Sequence, residues 1–205
     1  MTTRTRTNSK TQSLVGTAIL AALVIVLQMF VVIPIGIFYI TLTLVPIIIG
    51  AILYGPRAGA LLGGVFGVVV AIQVVTGAAG VLSFKMFEAL PVVTLALCVI
   101  KGVAAGLVSG VVYKLFKGKE KNALGVILSA VACPIVNTGI FVSGLFVFYY
   151  DLMSEFASAN AYASTVAFIF IGIVGLNFVV EFVINVLLIP VVLRILSIVV
   201  PKSKA

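Results

Sequence analysis

Histidine is absent from this 205-residue chain, and only five of its residues are acidic. Without histidine, the usual general base, the commonest metal ligand and most proton-relay chemistry are missing. The two cysteines, Cys98 and Cys133, both fall inside apolar segments, where neither a disulfide framework nor a zinc-type spacing is expected, so packing is their expected role. No G-x-x-x-x-G-K-[ST] run occurs, so the chain has no phosphate-cradling ATPase loop of that type. Nor does it pair a nucleophile with a base or cluster carboxylates for a metal, as an intramembrane hydrolase or lipid transferase would require. The expectation is a non-enzyme with no metal and no cofactor.

What the chain has instead is apolar length. It is 63% hydrophobic and 9% charged, with a mean hydropathy of +1.38. These values lie far from those of a water-soluble domain. Apolar stretches run over 13–33, 40–54, 57–75, 91–116, 123–149 and 163–198, divided by segments rich in glycine, proline or charge. At roughly 20 apolar residues per crossing, six spans use nearly the whole chain. The fold expected is therefore an all-α membrane protein, a six-transmembrane-helix bundle over 13–198. Short basic tails at 1–12 and 199–205 flank it. The 40–54 stretch is short for a crossing, so it needs extension by the connection before it or shielding by its neighbours. The first apolar run continues past Pro34 without a small-residue cleavage signature, which reads as a retained helix rather than a signal peptide.

The net charge of +8 follows topology. With the N-terminus inside, Arg4, Arg6, Lys10, Arg57, Lys114, Lys117, Lys119, Lys121, Arg194, Lys202 and Lys204 are all cytoplasmic. Only Lys85 then lies in an outer loop, beside Glu88, Asp151 and Glu155. This asymmetry predicts cytoplasmic N- and C-termini in the plasma membrane, and it needs no nucleic-acid partner. Gly59, Gly63 and Gly67, and again Gly102, Gly106 and Gly110, recur every four residues. Small residues at that spacing permit close helix contact in lipid, and packing is their expected use.

Ionisable groups at membrane depth cost about 2.5–3.5 kcal/mol each even on the lenient insertion scale, so each needs a reason. Lys101 lies about 15 Å along its helix from the outer end, at 1.5 Å per residue. Asn177, Glu181 and Asn185 form a polar row at i, i+4 and i+8 that must face inward. Counting from the outer end puts Asn177 nearest the level of Lys101 and Glu181 a turn deeper, which leaves a Lys101–Glu181 pair possible. Cys133-Pro134 followed by Asn137-Thr138 places a kinked polar spot on a third helix. These groups either form a structural network or line a binding cavity. Phe38 and Tyr39 in 34–41, Gln73 and Phe84 in 73–87, and aromatics in 149–162 are candidates to cap such a cavity.

Ala18 and Ala22 in the first apolar helix, the turn Leu53-Tyr54-Gly55-Pro56-Arg57-Ala58-Gly59, Lys101-Gly102 with Ala105-Gly106-Leu107, and the 177–194 stretch together resemble the substrate-binding S-components of energy-coupling factor (ECF) transporters. The likeness covers nearly the whole chain, and Ala18 and Ala22 are similar to the family's AxxxA coupling motif. The resemblance implies a high-affinity binder of a vitamin or related micronutrient. It would dock on a transmembrane coupling subunit with two cytoplasmic ATPases and hydrolyse no ATP itself. It implies a ligand in the outer half of the bundle, with Lys101, Asn137, Asn177 and Glu181 as its polar contacts. Phe38, Tyr39, Gln73 and Phe84 would lie around it, and Ala18 and Ala22 on the coupling face. A lysine unpaired by Glu181 would favour a carboxylate ligand, pantothenate first and riboflavin second. The competing expectation is a stand-alone secondary transporter, although no internal repeat is evident and one membrane carboxylate is thin for an ion relay.

Overall fold

The computed structural model describes residues 9–35, 38–116 and 122–199. Among these, five helices are long and apolar enough to cross a bilayer: Thr11–Phe30, Pro56–Val75, Pro91–Phe116, Ala123–Phe148 and Thr165–Arg194. A shorter apolar helix, Leu44–Tyr54, accompanies them. In chain order the elements are α1 (Ser9–Phe30), β1 (Val32–Ile35), β2 (Phe38–Thr41), α2 (Leu44–Tyr54), α3 (Pro56–Val75), α4 (Val81–Ala89), α5 (Pro91–Phe116), α6 (Asn122–Phe148) and α7 (Tyr150–Ala159). The last membrane segment is composite: α8 (Thr165–Ala167), a π-helical stretch at Phe168–Gly175, α9 (Leu176–Leu187) and α10 (Ile189–Val199).

The expected second span, 40–54, is thus α2, whose 11 residues rise only about 16 Å against a hydrocarbon core of about 30 Å. Its burial accounts for its stability at that length. Leu44, Ile47, Ile48, Ala51 and Ile52 are all buried, and the helix packs on α1, α3, α5 and α6. It forms the middle of one apolar core with Val24, Leu62, Phe66, Ala105, Val126, Ala130 and Cys133. Shielding by neighbours, rather than length, keeps this helix in place.

The membrane segments are helical as expected, and one connection adds two short strands. The connection before α2 is an antiparallel hairpin, with Val32 opposite Thr41 and Ile35 opposite Phe38. Val, Ile, Phe, Tyr and Thr favour extended backbone, and pairing two strands satisfies backbone groups that a loop would leave bare. The connections at 73–87 and 149–162 are also largely helical. Gly77 and Gly80, at φ +78° and +92°, turn the chain between α3 and α4. In α7, Met153 and Ala157 are buried against Leu82, Met86, Leu145, Phe168 and Ile169 in a second core. The Tyr149 hydroxyl lies 2.7 Å from Thr94 Oγ1, joining that core to the start of α5.

The α3–α5 pair is the rigid frame of the molecule. The two glycine faces meet in antiparallel register. A Cβ on Gly59 would collide with the Gly106 carbonyl oxygen, and one on Gly63 with the Gly102 carbonyl oxygen. One on Gly67 would stand 2.6 Å from the Cys98 carbonyl oxygen. The sequence spacing predicts this backbone-to-backbone packing. On the next interface, buried Ser109 and Ser129 clasp α5 to α6. Their hydroxyls lie 2.7 Å apart, and Ser129 Oγ donates to the Ser109 carbonyl at 2.8 Å. Lys101 stands beside Gly102, so it projects from the most closely packed part of the bundle.

Candidate functional site

A cavity of about 140 Å³ opens between α3, α5, α6 and the last membrane segment. That is well above the volume needed to admit a single water, about 10–15 Å³. Each helix lines it with residues at helical spacing: Phe66, Val70, Gln73 and Val74 from α3, and Thr94, Leu97, Cys98 and Lys101 from α5. Asn137, Thr138 and Phe141 come from α6, and Ile173, Val174, Phe178 and Glu181 from the last segment. Gln28 of α1 closes one side, and Ala78, Ala79 and Ser83 lie at the α3–α4 turn.

Lys101 is half-buried, and its Nζ lies 4.6 Å from the centroid of the Phe141 ring. The negative face of the ring offsets part of the cost of a cation there, by about 0.5–2 kcal/mol. Lys101 and Glu181 line the same cavity. The Lys85–Glu88 ion pair lies apart from them, on exposed α4. Asn137 is 7% exposed, and its Oδ1 has no hydrogen-bond partner among the described residues. Glu181 and Asn185 are also buried, and Asn185 Nδ2 donates 2.7 Å to the Glu181 carbonyl.

Lys101, Asn137, Glu181 and Gln73 are therefore brought together, while other expected site residues fall elsewhere. Gln73 walls the cavity, but its amide is engaged within the protein. Its Nε2 donates to the Gln28 carbonyl at 2.8 Å, and its Oε1 accepts from Gln28 Nε2 at 2.8 Å. Gln28 Oε1 in turn accepts from the Thr43 hydroxyl at 2.9 Å. These bonds form a clasp between the ends of α1 and α3 and the start of α2. Gln28→Leu leaves the fully buried Thr43 hydroxyl without its acceptor and Gln73 Oε1 without its donor. The expected cost is about 1–3 kcal/mol per orphaned group, read as a fall in Tm of the detergent-purified protein. An unchanged Tm would remove the clasp.

Phe84 does not line the cavity. The turn at Gly77 and Gly80 sets the phase of α4 so that Ser83 and Met86 face inward, and Phe84 lies against the Gly77 turn. Phe38 and Tyr39 fall on β2 and Asn177 on α9, with side chains outside the described residues. Glu181, expected a turn below Lys101, lines the cavity of Lys101 itself. The π-helical stretch before α9 bonds i to i+5 and winds more residues into each turn. Counting at 1.5 Å per residue therefore does not hold along this segment. Sequence reasoning missed Gln28, Thr94, Phe141 and Phe178 as lining residues. Signals existed for two of them: Gln28 is an amide inside the apolar run of α1, and Phe141 sits one turn from Asn137.

Ala18 and Ala22 are exposed on α1. Ala18 sits in a shallow groove with Ser13, Thr17 and Ala21, facing Arg57, Ala58 and Leu61 of α3. Gly16 packs on Tyr54 and Gly110 on Pro56, so this groove and the Arg57 and Lys114 cations share one end of the bundle. A family model described as ECF transporter, substrate-specific component matches residues 12–193. The chain belongs to this family. As a member it is the substrate-specific component of a transporter, and its long apolar helices make it a multi-pass membrane protein. Among solved structures, that of ThiT from Listeria monocytogenes aligns with a TM-score of 0.61 and 20% sequence identity. The alignment covers 95% of this chain and 98% of that one. At that identity the likeness is one of fold. No curated protein matches the chain.

Proposed function

We propose that this S-component captures a compact vitamin or related micronutrient carrying an acid group, in the cavity between α3, α5, α6 and α9. The observation that carries the reading is the Lys101 ammonium. It sits mid-helix against a ring face, fronts a hollow, and has no carboxylate ion pair among the described residues. A cation at that depth is costly, and an incoming anion offsets the cost. Pantothenate is the first candidate. Riboflavin ranks second, because its tricyclic ring needs stacking faces and one of the lining rings, Phe141, already carries the ammonium.

The N- and C-termini, with the tails 1–12 and 199–205, lie in the cytoplasm in this reading, which turns the mouth at Ala78 and Ala79 outward. Ala18 and Ala22 then present a small-residue face of α1 to a transmembrane coupling subunit, which two ATPases drive from the cytoplasmic side. Close approach over small side chains is the way helices associate in lipid. Ala18→Trp should leave ligand affinity within about twofold, since the cavity lies at the other end of the bundle. It should abolish co-purification with the coupling subunit. Unchanged assembly would remove Ala18 from the interface. The transport reading is tested by uptake in proteoliposomes, which should require the coupling subunit and ATPases. Proton- or sodium-driven uptake by this chain alone would establish the secondary-transporter alternative instead.

A further inference from the structure

The groove between α1 and α3 has two chemically different ends. Ser13 and Arg57 stand at one, and Ala18, Ala21, Ala58 and Leu61 wall the apolar remainder. The two helices run side by side in the same direction, since Gly16 meets Tyr54 just before α3 and Gln28 bonds Gln73 near its far end. Ser13 and Arg57 therefore share the level at which both helices begin. Arg57 is exposed, and its guanidinium makes no ion pair or hydrogen bond among the described residues. The α3 N-terminus beside it has no side-chain cap, so its leading N–H groups add partial positive charge. Lys114 brings a further exposed cation to this end, one turn beyond Gly110, where a Cβ would stand 2.6 Å from Pro56 Cα. Among the described residues, no acidic side chain lines the groove.

We infer that an anionic phospholipid seats in this groove in the unassembled protein. Its phosphate meets Arg57 beside the α3 N-terminus, and one acyl chain lies over Ala18, Ala21 and Leu61. A guanidinium matches a phosphate through two parallel N–H···O bonds, and a helix N-terminus favours the same group. From Ser13 to Ala21 the groove follows α1 for about 12 Å at 1.5 Å per residue. A free phosphate would leave that apolar length uncovered, whereas an acyl chain fills it. A zwitterionic headgroup would set its own ammonium among Arg57 and Lys114, so a net negative lipid is preferred, by roughly fivefold per cation near the membrane surface. The cytoplasmic leaflet, which carries the anionic lipids, faces this end in the orientation proposed above. The lipid covers the small-residue face assigned above to the coupling subunit, so docking displaces it.

Native mass spectrometry of the full-length protein, released from vesicles of phosphatidylglycerol and phosphatidylcholine in equal amounts with identical acyl chains, tests this site. Folded wild type should retain one phosphatidylglycerol, at least roughly fivefold more often than phosphatidylcholine. Arg57→Gln should cut that preference by roughly fivefold, and Ala18→Trp, which fills the apolar floor, should abolish retention. Lys85→Gln removes a cation from α4 at the opposite end and should change nothing. Equal retention of the two lipids by wild type, a comparison that needs no variant, would overturn the site. So would a phosphatidylglycerol that survives both Arg57→Gln and Ala18→Trp. A folded protein that keeps neither lipid overturns it as well, and leaves the groove to the coupling subunit alone. Assembly with that subunit is read separately, so either assignment of the groove can fail without the other.

Discussion

Gly63→Val is expected to lower the Tm of the purified protein by about 6–12 °C, the equivalent of about 3 kcal/mol in a chain of this size. The reason is that a side chain at this position has nowhere to go. Its first carbon already collides with the Gly102 carbonyl oxygen, and neighbouring Gly59 and Gly67 are held in the same way against Gly106 and Cys98. Backbone cannot step aside as a flexible side chain can, so the whole α3–α5 contact would have to part. Gly139→Ala on α6 is the control, because a Cβ there meets nothing within 4 Å. Alanine is favoured over glycine inside a helix by about 1 kcal/mol, so Gly139→Ala should hold or raise the Tm. Equal effects of the two substitutions would mean that α3 and α5 do not meet through their glycines.

Lys101→Met is expected to act in the opposite sense on stability and binding. An acid-bearing ligand should bind roughly 30- to 5,000-fold more weakly, the loss that follows removal of one partner of a desolvated charged contact. The ligand-free protein should keep its Tm or gain a little. Removing a cation from membrane depth relieves about 2.5–3.5 kcal/mol, while the lost contact with Phe141 is worth about 0.5–2 kcal/mol. A lysine serving structure would show the reverse pattern, a lower Tm and unaltered binding. Measuring both quantities on one variant separates the two roles.

The parts of this molecule that were legible in the sequence are those governed by helical periodicity. The glycine faces were readable because small residues every four positions have one dominant use in lipid. Lys101, Asn137 and Glu181 were readable because each is expensive in an apolar helix, and the structure brings all three to one cavity. What periodicity hides is any departure from 3.6 residues per turn. The π-helical stretch at Phe168–Gly175 carries no charged or amide side chain and leaves no trace in the residue pattern, yet it changes the winding of the segment that leads to Glu181. The Val32–Thr41 hairpin is hidden for a different reason: its residues are as apolar as the helices on either side. Partner choice was the other gap. Gln73 has the chemistry of a ligand contact, and only coordinates reveal that Gln28 takes up both ends of its amide.

The binding role proposed for this S-component depends on a hollow that a nutrient fills and on a lysine that meets its acid group. The most direct measurement is an experimental structure of the protein purified with the molecule it retains. The account predicts ligand density between α3, α5, α6 and α9, with an acidic group within hydrogen-bond distance of Lys101 Nζ. A ligand bound elsewhere, or Lys101 turned onto Glu181 with the cavity closed between them, would contradict it.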